Sequence, residues 1–244
     1  MRAVISSPDD TLALNGLRPM NHGPLWITGD GISGWYGAQG AREQATDIPQ
    51  QDGAYWPSRL TAGGRTVTIN AAAVCMSGIQ LAALRDRLNA LACQPLTLTI
   101  EDAHGIRSAD CWLADDTDPI PLPTEQAAAF TLVLYCPDPL KYGPPVTYPA
   151  SGGVIRVRNE GNAPTWPSIA VTGRATSLRL TLGDGEVCWQ GDADGLTLDF
   201  RDMIPSTGNV TKDLAFRIPP GASTVTATVD AGATVSMTLC PAWR

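Results

Sequence analysis

The sequence predicts a mainly β protein of two domains: a β-rich first part with a single helix and an extended arm, followed by a β-sandwich. Three observations predict this. The 244 residues include 24 Gly and 20 Pro, and Thr-rich stretches alternate apolar and polar residues with the period of two that a half-buried strand requires. A single segment instead repeats its leucines at three- and four-residue steps. A proline cluster near the middle of the chain then separates the two parts.

In chain order, Met20–Leu60 is rich in Gly, Asn, Gln and Pro with isolated Trp26, Trp35 and Trp56, a composition that suits an extended arm or long hairpin better than a core element. Arg65–Asn70, Leu96–Ile100 and Phe130–Tyr135 alternate and are rich in β-branched residues, so they are expected to be strands. Between the first two, Leu81, Leu84, Leu88 and Leu91 define one amphipathic helix over 77–92, with Ser77 as its cap and Pro95 beyond its end. Pro137, Pro139, Pro144 and Pro145 exclude both helix continuation and a central strand, which sets the domains at 1–143 and 144–244. Beyond them, eight short strands are expected: Val154–Arg158, Ser168–Thr172, Ser177–Leu182, Glu186–Gln190, Leu196–Phe200, Asp213–Ile218, Ser223–Val229 and Thr234–Leu239. Gly183–Gly185 and Gly191–Gly195 carry the Asp-Gly chemistry of hairpin turns between them. That spacing is the pattern of a sandwich.

With 17 basic and 24 acidic residues the formal charge is −7, and nine basic against 15 acidic residues place most of it in 1–143. No basic patch to hold phosphates is visible, so nucleic acid is not an expected stable ligand. No apolar run reaches the roughly 18 residues of a membrane helix and the first residues lack a signal peptide's apolar segment, so an unprocessed, non-membrane chain is expected. The six cysteines stand no closer than 18 residues apart, which argues against a zinc site. They read as small buried hydrophobes in a reducing compartment, with one or two disulfides as the alternative.

Catalytic chemistry finds little support. His22 and His104 are the only histidines, and both read as solvated turn residues. An enzyme would need His104 with Asp102 or Asp110 and a nucleophile, but no nucleophile-elbow spacing occurs. Asp115, Asp116 and Asp118 lack the spacing of a calcium loop and read as a solvated loop. Gly29–Gly34 is Gly-rich without the Lys-Ser/Thr ending or following helix of a phosphate loop. No cofactor is expected. Trp166 and Trp189 are the candidates for stacking on a sugar in the second domain, against the plainer reading of a Trp that plugs a sandwich core.

Several remaining motifs form an ordered set. Asp52-Gly-Ala-Tyr-Trp-Pro-Ser58, then Gly64-Arg-Thr-Val-Thr-Ile-Asn70, then the helix, then Phe130-Thr-Leu-Val-Leu-Tyr-Cys-Pro-Asp-Pro-Leu-Lys-Tyr142, and finally Asn159-Glu-Gly-Asn-Ala-Pro-Thr-Trp-Pro-Ser168 follow one another along nearly the whole chain. In this order the sequence resembles the siphophage distal tail protein family. The resemblance implies a ring-forming first domain, assembled as a hexamer through a belt-like arm, and a galectin-like β-sandwich displayed outside the ring. It implies a structural virion protein at the distal end of the tail, made in the host cytoplasm. Its partners would be further copies of itself, the tail tube protein, the tail-tip hub or tail-associated protein, and receptor-binding proteins or host glycans.

On this reading Trp26, Trp35, Tyr36 and Trp56 of the arm, with Leu84 and Leu88 of the helix, are the expected intersubunit contacts. The acidity of the first domain would repel DNA passing through the ring. The alternative function is a carbohydrate-binding module using Trp166 or Trp189, although no His-Asn-Arg-Trp set of the galectin type is seen on a strand.

Overall fold

The computed structural model describes residues 1–16, 23–123, 125–230 and 232–244. His22 and Met20, at the expected start of the arm, lie outside the described residues. The chain divides into two compact units, Met1–Lys141 and Tyr142–Trp243.

The first unit contains β1 (Arg2–Ser6), β2 (Thr11–Asn15), β3 (Leu25–Ser33), β4 (Arg65–Val74), α1 (Gly78–Asn89), β5 (Leu96–Asp102), β6 (Gly105–Leu113), β7 (Ile120–Pro121) and β8 (Ala127–Cys136). Its strands run in the order β6-β5-β1-β2-β3-β4-β8, and β6 also pairs with β8, so the sheet closes into a barrel. Two joins in it are thin: β2 meets β3 at Asn15 and Trp26, and β6 meets β8 at Trp112–Tyr135 and Leu113–Leu134. By contrast, β4 and β8 pair over ten residues. Strict alternation turns Val67, Ile69, Ala71 and Ala73 of β4 inward against Leu132, Leu134 and Cys136 of β8. Because the sheet closes on itself, its edges need fewer outside partners than an open sheet would.

The helix starts where the sequence places its cap: Ser77 is extended, and its hydroxyl accepts the Gln80 amide at 3.3 Å, satisfying a first-turn donor. Leu81, Leu84, Leu88 and the following Leu91 join the barrel's own core. Each leucine so buried contributes about 1.5–3 kcal/mol. Arg87 near the helix end pairs with Asp10 of the β1–β2 turn at 2.8 Å, holding that carboxyl below the usual range. Both side chains stay partly exposed, so this pair adds little.

β9 (Lys141–Tyr142) spans the boundary, and the second unit continues with β10 (Val146–Pro149), β11 (Val154–Asn159), β12 (Pro167–Leu182), β13 (Gly185–Asp199), β14 (Asn209–Leu214), β15 (Gly221–Val229), β16 (Thr234–Leu239) and β17 (Ala242–Trp243). Four of the expected short strands are two long ones: Ser168–Thr172 and Ser177–Leu182 fuse into β12, and Glu186–Gln190 and Leu196–Phe200 into β13. Gly191–Gly195 is therefore not a hairpin turn but the middle of β13, whereas Gly183 and Asp184 do form the turn between the two. The first half of β12 pairs with β16 and its second half with β15, while its pairing with β13 shifts register after Val171 and Ala175. Such long strands pass from one layer to the other through a bend. Asp213–Ile218, expected as a strand, is displaced: β14 ends at Leu214, and Ile218 makes only a bridge to Thr165.

The core of the second unit draws Ile155, Val171, Leu180, Trp189, Leu198 and Met237 from strands of both layers. Trp189 is 0% exposed, and its indole donates to the Thr207 carbonyl at 2.7 Å. Gly191 and Gly208 lie on its ring so closely that a Cβ at either would come within 2.6 Å of it. The Asn159-x-Gly-Asn motif opens this unit for a structural reason. Buried Asn159 donates to the carbonyls of Ala163 and Ile218 and accepts the Gly161 amide, fixing the entry of the chain.

Candidate functional site

The longest irregular excursion of the first unit is residues 34–64, between β3 and β4. Bridges at Ala41–Ala62 and Asp47–Ala54 pair its two limbs, so it is a loose hairpin with its tip at 48–53. The Arg42 amide donates to Thr61, Tyr55 to Thr46, and Ile48 to Gly53. Across the limbs, the Glu43 carboxylate accepts the amide and the hydroxyl of Thr61, which lowers its pKa. Few apolar side chains are buried along this arm. Tyr55 and Leu60 are exposed, and Trp56 is 85% exposed.

The arm's root, unlike its length, is firmly held. At Gly34 the backbone has φ +77° and passes so close to β4 that a Cβ would lie 2.0 Å from the Thr66 carbonyl, which only glycine allows. Arg65, the first residue of β4, is in phase with Val67 and Ile69 and so points inward. Its Nη1 donates to the carbonyls of Gly34, Trp35 and Gly37 at 2.7–2.9 Å, and its Nε and Nη2 donate to Pro139. Lys141 is also buried and donates to the Trp35 carbonyl at 2.9 Å. Two sequence motifs far apart in the chain, Gly64-Arg65 and Pro137-Asp138-Pro139, thus meet at the arm's root.

These cations are bound by carbonyl dipoles rather than carboxylates. Burial lowers the Arg65 pKa, and burial with the neighbouring charges of Arg65 and Arg107 pulls Lys141 down to about 8. Both residues lie in the ordered motifs of the sequence, which gave neither a role. The signal available was the inward phase of Arg65 in an otherwise apolar strand.

The expected interface residues separate by location. Trp56 projects from the arm and Tyr36 is exposed at its root, with its hydroxyl on the Met1 sulfur at 3.1 Å and Asp102 beside it raising its pKa after burial. Trp26 is half-buried on β3. Trp35, Leu84 and Leu88 are corrections: they are buried in the core of their own unit, Trp35 to 2% exposure, and leave almost no surface for a neighbour. A second apolar surface was missed. Val74, Met76 and Ile79 are exposed around the start of α1, beside a cleft of about 520 Å³ lined in part by Pro24, Cys75 and Gln80.

The alternative sites are not assembled. Trp189 cannot stack on a sugar because it is the core plug, and the half-buried Trp166 carries the Arg217 guanidinium 4.4 Å from its ring centre. His104 is exposed in the β5–β6 turn, where its amide binds the Asp102 carboxylate, while Asp110 accepts from Thr97 near the other end of β6. Among the described residues no three His, Cys, Asp or Glu side chains are grouped as metal ligands, and no helix is long and apolar enough to cross a membrane.

No protein-family model matches the sequence, and no curated protein matches it. Solved structures do. The chain is similar to the Dit protein of SPP1, described as a paradigm of the hub adsorption apparatus of phages infecting Gram-positive hosts. The TM-score is 0.67 at 17% identity, over 91% of this chain and 94% of that one. It is also similar to chains of the phage P2 baseplate in its activated conformation, with calcium and with strontium. There the TM-scores are 0.50 and 0.52 at 10% identity, over 97% and 98% of both chains. At such identities the shared property is the fold, and it extends across nearly the whole chain.

Proposed function

We propose that this protein is a structural component of a phage tail tip, a ring of identical chains, six by the resemblance, that joins the end of the tail tube to the hub and adsorption apparatus. The observation that carries the reading is the continuous likeness to the SPP1 Dit fold over 91% of the chain. The arm supports it: a segment with Trp56, Tyr55 and Leu60 in solvent, rooted on buried cations, suits a neighbouring copy's surface. Trp26 and Tyr36 at the root and the exposed Val74, Met76 and Ile79 would add to that contact. The second unit would face outward, toward receptor-binding proteins or host glycans.

DNA passage fits the charge. Of the nine cations in 1–143, Arg65 and Lys141 are buried, while no carboxylate is buried among the described residues. The surface of the first unit is thus more acidic than its formal count, and it would repel phosphates rather than hold them. No catalytic set or cofactor site enters this role, and its place is the distal end of the virion tail.

Light scattering coupled to size exclusion tests the reading. A mass near 154 kDa, six chains of 25.7 kDa, is the expected result, and shortening the arm between Ala41 and Ala62 should return the monomer. A monomer at every concentration, alone and with tail tube protein added, would overturn it.

A further inference from the structure

The thin join that closes the first unit's barrel carries two cysteines. The β6–β8 register runs Leu113–Leu134 and Trp112–Tyr135, and its next step sets Cys111 opposite Cys136. Cys111 is at the same time paired with Leu96 of β5, and Cys136 with Arg65 of β4. Both are buried in one core cluster, close enough that each thiol acts on the other's ionisation. Directly opposed residues of an antiparallel pair have Cα atoms about 4.5–5.5 Å apart, within the span a disulfide bridges. A cleft of about 520 Å³, lined by Pro8, Pro95, Asp110, Cys111, Trp112 and Pro137, opens the join to solvent.

We propose that Cys111 and Cys136 form a redox-active dithiol that becomes a disulfide across the barrel seam by exchange with a small-molecule disulfide. The inference does not depend on the tail-tip reading. In the first step a Cys136 thiolate attacks one sulfur of the small disulfide, making a mixed disulfide and expelling one thiolate. Cys111 then attacks the Cys136 sulfur, the protein disulfide forms, and the second small thiolate leaves. The dithiol is oxidised, the small disulfide is reduced to two thiols, and the two cysteine protons end on those thiols. Cys136 is the better nucleophile of the two. Arg65 is paired with it across β4 and β8, and that positive charge favours its thiolate. The join is held by two residue pairs and the Ala114 amide on the Val133 carbonyl, a short seam whose local opening would admit the reagent.

The test uses the intact protein and glutathione disulfide in native buffer near pH 8, followed by alkylation in denaturant and unreduced peptide mapping. The expected result is a peptide linking Cys111 to Cys136, loss of two of the six alkylatable thiols, and a Tm raised by roughly 5–10 °C that dithiothreitol reverses. Cys111→Ser should stop at a glutathione adduct on Cys136, with no linked peptide and no rise in Tm. Seam thiols that stay alkylatable in the wild type, or links made only by Cys75, Cys93, Cys188 and Cys240, would overturn the proposal without touching the tail-tip reading.

Discussion

The two units treat their large apolar and charged side chains in opposite ways. Of the exposed large hydrophobics among the described residues, twelve belong to the first unit, among them Tyr55, Trp56, Met76 and Ile79, and three to the second, Val146, Ile204 and Leu214. In the second unit the aromatics face inward or are covered, as with Trp189, the Phe200–Phe216 edge contact and Trp166 under Arg217. Its ion pairs, such as Arg174–Asp192 and Lys212–Glu186, lie at the surface, whereas the first unit buries Arg65 and Lys141 on backbone carbonyls. The second unit therefore satisfies itself, and the first holds apolar surface in reserve. Scattered exposed hydrophobics are ordinary, so the excess on one unit bears on association only through the assembly proposed above.

The sharpest way to break this contrast is to remove what each unit buries. Arg65→Met would leave the carbonyls of Gly34, Gly37 and Pro139 without this donor and that of Trp35 with Lys141 alone, and we expect a loss of about 3–5 kcal/mol by urea denaturation. Arg65→Lys should recover only part, since a point charge cannot serve the same fork of acceptors. Trp189→Ala should cost a similar 3–5 kcal/mol while leaving the mass of any assembly unchanged. If it altered assembly, the division of labour between the units would be wrong.

The next effect depends on pH. Lys141 titrates near 8 when folded and 10.5 when unfolded, so between those values the unfolded chain binds more protons. Stability should therefore rise as pH climbs from about 8 to 10.5, by on the order of 3 kcal/mol, and Lys141→Met should remove that part of the profile. Asp230 gives the opposite sign in the second unit. Its carboxylate accepts the amides and hydroxyls of Thr176 and Ser177, which hold its pKa to about 2, below the ordinary 3.8. That contribution is present above pH 3.8 and is lost as pH falls toward 2, so Asp230→Asn should flatten the acid limb of the denaturation curve. The smallest effect on stability belongs to Trp56→Ala, within about 0.5 kcal/mol because the ring is 85% exposed. Its self-association, measured by light scattering, should nonetheless weaken.

Local patterns carried much of this fold. Ser77 and the leucine steps marked the helix, observed as Gly78–Asn89, because capping and a 3.6-residue period are properties of the segment itself. The prolines at 137–145 set an expected break at 143/144, and the units divide at 141/142. The alternation in Arg65–Asn70 and Phe130–Tyr135 reappears as β4 and β8, since one buried face is enough to impose it. Other features depended on neighbours. Nothing in Gly191–Gly195 distinguishes a turn from the middle of β13, because what keeps it extended is the pairing of Ala193 and Asp194 with β12.

By itself, then, the sequence determined a mainly β chain with one helix, an acidic first part, and an irregular arm rich in aromatics. Each of these follows from composition or short-range periodicity. The tertiary structure alone decided which aromatics are free. Trp35 and Trp56 lie 21 residues apart in the same segment, yet one is at 2% and the other at 85% exposure. The difference is made by Arg65, Pro139 and Lys141, which draw the arm's root into the barrel and leave its length outside. It also decided that the sheet closes, setting Cys111 opposite Cys136, because closure is a contact between strands that no local pattern encodes.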